Sequence, residues 1–286
     1  MCEQVKQQPS GLTPLQHICH RWKHPNQNLT PCLMTLTWGD HVRVVGVDEA
    51  GRGPCIGPLF VGAVALPSAD LHMLELLGVT DSKRLKPAQR EAMAAELRRL
   101  GEARDWGLIV HPLTPPRIDA AVEQKGLNRL EVEGFVAVID ALWREGTDHH
   151  LVLDACDVDE VRFGRNVETG LLARGRQPAN VLAKHKADAD ERIVGAASIV
   201  AKVERDRWVR SFIEASGIDI GSGYPSDPKM MQALSSLVEG PQPHVDLRWS
   251  WATTKRGWEA QHPTPVPVRT EAGTSVQRRL FEPPSS

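Results

Sequence analysis

Asp48 and Glu49 stand side by side where a β-branched run, Val42 to Val47, meets the glycine-rich stretch Gly51-Arg52-Gly53-Pro54. Strand ends in α/β sheets are where polar groups leave the core and face a cleft. Neighbouring residues on a strand point to opposite faces, so both carboxylates can serve one site only if the chain breaks its pleat there, which the glycines permit. Asp154 repeats the arrangement: Leu151-Val152-Leu153, then the acid, then small Ala155. Asp188 is a third case, at the start of a helix that follows a strand, and it reads equally as the N-cap of that helix. Acids that converge from several strand ends repel one another and rise in pKa. A divalent cation with oxygen ligands, Mg²⁺ or Mn²⁺, removes that penalty. Two such ions about 4 Å apart can activate a water and stabilise the leaving oxygen in phosphodiester hydrolysis.

Positioning these acids calls for an α/β domain. Val42 to Val47, Leu59 to Leu66, Trp106 to Val110, Leu151 to Leu153 and Asn180 to Ala183 read as strands. Pro87 to Leu100 predicts an amphipathic helix with Met93, Leu97 and Leu100 on one side. Leu127 to Trp143 predicts a second, carrying Leu130, Phe135, Val138 and Leu142. A long third helix carries Ile193, Ala196, Ala197, Val200 and Val203 and runs to Phe212. The order β-β-α-β-α-β-β-α implies a mixed sheet flanked by helices. Residues 1–40 hold no sustained period and read as a flexible N-terminal extension, with Met34 an alternative start. Their His17, Cys19, His20, His24 and Cys32 fit no paired spacing for zinc. Residues 41–215 form the main domain, 216–260 a small C-terminal helical lobe, and 261–286, rich in Pro, Thr, Glu and Ser, a disordered tail.

Composition narrows the class without choosing a substrate. Charged residues at 24% and hydrophobic ones at 41% suit a soluble globular protein with one sizeable core. No stretch approaches the roughly 20 apolar residues of a membrane span, and Met1 to Pro9 lacks the apolar segment of a secretory signal. The five scattered cysteines argue for reduced thiols, so a cytoplasmic protein is expected. A net charge of −2 neither favours nor excludes nucleic acid, because an acidic metal site cancels a local basic face in the sum.

Four blocks in order carry a family resemblance: Gly46-Val47-Asp48-Glu49-Ala50-Gly51-Arg52-Gly53-Pro54; Asp81-Ser82-Lys83; His185-Lys186-Ala187-Asp188 with Ala196 to Val203 and Arg205-Asp206; and Gly221-Ser222-Gly223-Tyr224-Pro225-Ser226-Asp227. Together they resemble the type 2 ribonuclease H family, ribonuclease HII, over about Val42 to Trp258. The last block and Arg248-Trp249-Ser250-Trp251-Ala252-Thr253 look more like its archaeal and eukaryotic branch. The resemblance implies a ribonuclease H-like sheet with flanking helices in 41–215 and a metal site of Asp48, Glu49, Asp154 and Asp188. It implies two Mg²⁺ or Mn²⁺ ions and a substrate of RNA–DNA hybrid, or of DNA duplex containing ribonucleotides. Cleavage would leave a 3′-hydroxyl and a 5′-phosphate, with no nucleophilic role for Cys55 or Cys156 and a structural one for His185. The backbone of Gly51-Arg52-Gly53 would read the 2′-hydroxyl that separates RNA from DNA. Tyr224 would pack on the next sugar, and Ser82, Lys83, Arg84 and Lys186 would contact phosphates.

In the tail, Gln277-Arg278-Arg279-Leu280-Phe281 resembles a degenerate sliding-clamp-binding motif, in which a Gln and an apolar anchor dock on the clamp. A monomer is expected. The rival readings are another two-metal nuclease of the same fold, such as a junction resolvase, a non-catalytic hybrid-binding protein, and a subunit that needs partners.

Overall fold

The computed structural model describes residues 41–79, 82, 85–124 and 126–269. Its centre is a five-stranded sheet in the order β3-β2-β1-β4-β5. β1 (Val42–Ala50) and β2 (Leu59–Pro67) form an antiparallel pair, followed by α1 (Leu71–Leu76) and α2 (Pro87–Arg104). β3 (Gly107–Leu113) adds antiparallel to β2 and leads into α3 (Pro115–Glu123) and α4 (Leu127–Ala141). β4 (Asp148–Asp154) lies parallel to β1, and after α5 (Glu160–Leu172) β5 (Asn180–Lys184) lies parallel to β4. The short α6 (Ala187–Asp190), the long α7 (Arg192–Ser216), α8 (Pro228–Leu237) and α9 (Ala252–Glu259) complete the order.

This is the expected mixed α/β sheet, with several helices missing from the sequence-based order. α5 lies between β4 and β5, because two parallel strands cannot be joined without a crossover. Its stripe Phe163, Val167 and Leu171 is spaced by four, and Asp159 caps its start by accepting from the Arg162 amide. Gly164 and Gly170 dilute that stripe in the sequence. α1 and α3 also lie outside the expected order.

The pleat divides the core in two. Val45, Val47, Val61, Ala63, Leu151 and Leu153 join Phe135 of α4 and Phe163 of α5 on one face. Val44, Val64, Leu66 and Val152 join α2 and α7 on the other. α7 comes close to β1 because position 46 is glycine: a Cβ there would lie 2.4 Å from the Ile193 carbonyl oxygen. A third cluster, around Met230, Leu234, Leu247 and Trp258, includes Cys55 and Ile56 from the β1–β2 connection.

The segment expected as a disordered tail begins with described residues that pack on the rest of the chain. Residues 262–269 lie against the third cluster: His262 stacks on Trp258, Trp258 Nε1 donates to the Thr264 carbonyl, and Val266 packs among the cluster's side chains. Arg269 sits over the Trp249 ring and pairs at 3.0 Å with the buried Asp119 of α3. Polar contacts rather than apolar periodicity hold this strap, so composition alone did not expose it. A chain ending at 261 should therefore be less stable than one ending at 269 by about 1–3 kcal/mol, since Asp119 keeps its other donors but loses its ion pair. Calorimetry of the two chains checks this, and equal melting temperatures would refute it.

Candidate metal centre and its glycine loop

β1 carries Asp48 and Glu49 without breaking its pleat, contrary to the sequence-based expectation. Pairing with β2 continues through Asp48↔Gly62 and Glu49↔Val61 to Ala50↔Phe60. Pairing with β4 stops at Val47↔Leu153. Beyond that point the two parallel strands part, and side chains from both faces of the sheet reach the gap. Asp48 continues the α7 face, where the Ser198 side chain favours its ionised form. Glu49 continues the α4 face, where it meets Glu131. Asp154 enters from the end of β4, and oxygens of Asp48, Glu49 and Asp154 lie within 4.8 Å of one another.

Asp188 stands outside that trio but near enough that its charge adds to the load on Asp48. It is not the N-cap of its helix: Lys186, in the left-handed region at φ 56°, holds that position. Asp154 reaches the same turn, its Oδ1 accepting from the Ala187 amide at 2.7 Å. His185 donates through Nε2 to the Asp157 carbonyl at 2.6 Å, and its amide donates to Glu160. Its ring therefore fastens the turn.

The electrostatics follow from burial. Burial, then Glu49, then Asp154 push the Asp48 carboxyl well above the usual range. Burial, then Glu131 and Asp154 raise Glu49 to about 7. Glu49 is only partly shielded as a residue, yet its Oε2 is buried with no hydrogen-bond partner among the described residues. An orphaned carboxylate oxygen amid other carboxylates suits a hard divalent cation, which takes oxygen ligands and cancels the repulsion. The two thiols are poor nucleophiles: burial pushes Cys55 up to about 11, and burial with Glu131 raises Cys156 further.

The glycine loop follows directly. Gly51 adopts φ 90°, and a Cβ on Gly53 would meet Tyr224 Cε1 at 2.9 Å, so the tyrosine ring lies against the bare backbone. Arg205 covers that ring from 5.4 Å. Arg52 turns its side chain away to Glu131 at 2.6 Å and Asn128 at 2.9 Å. Ser82, expected at a phosphate, is instead buried, with its hydroxyl 2.9 Å from that of Ser198. Lys186 is exposed, whereas Lys83, Arg84, Gln277, Leu280 and Phe281 lie outside the described residues.

Sequence reasoning missed Glu131 and Arg248. Glu131 is fully buried on α4 beside Leu130, Gly134 and Phe135. An acid within an apolar helical stripe was the available signal. Arg248, fully buried, donates to three loop carbonyls, and no local pattern marks it.

A carboxyl raised in the folded state binds its proton more tightly there, so Glu49 costs stability as pH climbs from about 4.5 to about 7. Mg²⁺ or Mn²⁺ should accordingly raise the melting temperature more at pH 8 than at pH 6. Glu49→Gln should stabilise the cation-free protein at pH 8 by on the order of 1–3 kcal/mol. Thermal unfolding at the two pH values tests both statements, and a cation effect independent of pH would contradict them.

A family model described as Ribonuclease HII matches residues 45–254. A curated ribonuclease HII from Methanococcoides burtonii is 35% identical over 218 residues, 75% of this chain and 99% of that protein. The crystal structure of ribonuclease H2 from Pyrococcus horikoshii OT3 superposes with a TM-score of 0.66 at 36% identity, covering 77% of this chain and 98% of its own. A ribonuclease HII from Archaeoglobus fulgidus, solved in complex with PCNA, gives 0.63 at 35% identity, over 75% and 96% of the two chains. The fold, the acid trio and these relatives agree: the chain belongs to the ribonuclease HII family and is a metal-dependent ribonuclease H, an endonuclease.

Proposed function

We propose that this enzyme hydrolyses the RNA strand of RNA–DNA hybrids and cuts at ribonucleotides embedded in duplex DNA, leaving 3′-hydroxyl and 5′-phosphate ends. The observation that carries the reading is that a carboxylate cluster and a backbone loop able to approach a sugar share the end of one strand. Asp48, Glu49, Asp154 and Asp188 would hold two ions, Mg²⁺ or Mn²⁺. When bound, the ions supply an activated water and offset charge on the leaving oxygen. Ser198 favours the ionised form of Asp48, the Ala187 amide orients Asp154, and the Oε2 of Glu49 is left for a cation.

The backbone at Gly51, Arg52 and Gly53 receives the 2′-hydroxyl, and Tyr224, held against Gly53, packs on the sugar that follows. A deoxyribose at that place favours RNA–DNA junctions. Lys83, Arg84 and Lys186 serve phosphates, while Ser82 acts through Ser198. The domain division at 215 and 260, a monomeric state and a cytoplasmic setting complete the proposal. Among the described residues no helix is long and apolar enough to cross a membrane. The PCNA complex of the Archaeoglobus relative supports a sliding clamp as partner, through Gln277, Leu280 and Phe281.

One assay tests the reading: a DNA duplex with one ribonucleotide, a long hybrid and double-stranded RNA, each with and without Mg²⁺. Cleavage of the first two but not the third, only with the cation, is expected. Asp48→Asn should lower cleavage at least about a hundredfold. Undiminished cutting by that variant, or faster cutting of an all-DNA junction, would remove the assignment. Gly53→Ala, which drives a methyl into Tyr224, should cut the single-ribonucleotide duplex about tenfold more slowly or worse, with little change in melting temperature.

A further inference from the structure

Five carbonyls in the seven residues from Gly51 to Gly57 are held by one strip of the C-terminal region. Arg248 donates from Nη2 to Gly51 O at 2.6 Å, from Nη1 to Arg52 O at 2.8 Å and from Nε to Gly57 O at 2.9 Å. Its own amide donates to Cys55 O at 2.8 Å, and Trp251 Nε1 reaches Gly53 O at 3.4 Å. The Trp251 ring lies under the guanidinium, 4.9 Å away. Asp119 pins the strip from outside, accepting from the amides of Trp249 and Ser250 and from the Ser250 hydroxyl.

Peptide geometry turns these bonds into a direction. All described peptides are trans, so the C=O of one residue and the N–H of the next point opposite ways. Fixing the Gly51 and Arg52 carbonyls toward Arg248 therefore aims the N–H groups of Arg52 and Gly53 away from it. Among the described residues neither N–H donates to a protein acceptor. Pro54, next in line, has no N–H to offer. Burying a guanidinium is costly unless its donors find acceptors, and Arg248 finds three in this loop. Only the planar fork of arginine reaches three carbonyls at once; a lysine ammonium on its flexible stem cannot hold that arrangement.

We propose that Arg248 is a positioning residue for sugar selection, which by orienting two peptide planes aims the Arg52 and Gly53 N–H groups at the 2′-oxygen of the ribonucleotide. The inference rests on the proposed reading of the 2′-hydroxyl by this loop. It assigns the loop's geometry to a residue some two hundred positions away that touches no substrate.

The test compares wild type, Arg248→Lys and Trp251→Phe on two DNA duplexes, one bearing a single ribonucleotide and one a 2′-fluoro-2′-deoxynucleotide, a poor acceptor, at the same position. Wild type should prefer the ribonucleotide in kcat/KM. In Arg248→Lys that preference should fall roughly ten- to hundredfold, through loss on the ribonucleotide alone. Trp251→Phe keeps the ring under Arg248 and removes only the bond to Gly53 O, so it should move the preference the same way by less. It also carries the test if Arg248→Lys fails to fold. Equal proportional loss on both duplexes would mark a merely structural role and overturn the proposal. Preference retained in the variants would overturn it while leaving the loop's reading of the sugar intact. No preference in wild type would overturn that reading, and the proposal with it.

Discussion

Like charges brought together out of water set the terms for this molecule. Asp48, Glu49 and Asp154 gather where β1 and β4 stop pairing, with Glu131 behind them and Asp188 nearby. A chain folding for stability alone would not assemble such a cluster, because each carboxylate raises the cost of ionising the next. Burial and repulsion favour the protonated forms of Asp48 and Glu49, and a bound cation would neutralise their charge. The rest of the fold acts as a frame that prevents the acids from relaxing apart. β2 continues to pair with β1 on the far side, α7 presses on Gly46, and the Ala187 amide holds Asp154 in place.

A second cost sits next to the first. Arg248 is a fully buried cation whose pKa burial lowers to about 10, and Asp119 supplies the opposing charge. Arg52, in the loop between them, answers to Glu131, the same carboxylate that loads Glu49. The acid cluster and the glycine loop are therefore not independent. Arg52 offsets Glu131, and its own carbonyl is held by Arg248. Altering Glu131 would disturb both the charge on Glu49 and the anchoring of the loop.

The sequence made the local features plain and left the long-range ones hidden. Runs such as Val42 to Val47 and Leu151 to Leu153, each ending in an acid, announce strands with polar tips, and both strands lie where that pattern puts them. The glycines at 51 and 53 announce a tight approach, which Tyr224 makes. The pleat was misjudged because sequence alone does not show where a neighbouring strand departs. The gap between β1 and β4 brings opposite faces together without a break. Ser82 was misjudged for a related reason: its partner, Ser198, lies on a helix more than a hundred residues away. Arg248 was misjudged because a buried charge on an irregular segment has no period to betray it, and Asp119 because its partners, Trp249, Ser250 and Arg269, lie more than a hundred residues away.

One strand thus carries two of the acids and leads directly into the glycine loop. Asp48 and Glu49 still pair with β2, the ladder ends at Ala50, and the glycine loop begins at the next residue, so the acids and the loop share one strand end. A displacement of β1 would move both together relative to Asp154, which belongs to a different strand. The parts that must be kept in register are therefore β1 and β4, whose parallel pairing over Val42–Val47 and Asp148–Leu153 fixes the distance across the gap. Both strands are buried on either side by the two cores, and close-packed interiors resist small shifts. The two cores consequently do more than stabilise the sheet: they keep Asp154 close to Asp48 and Glu49, as the proposed cation site would require.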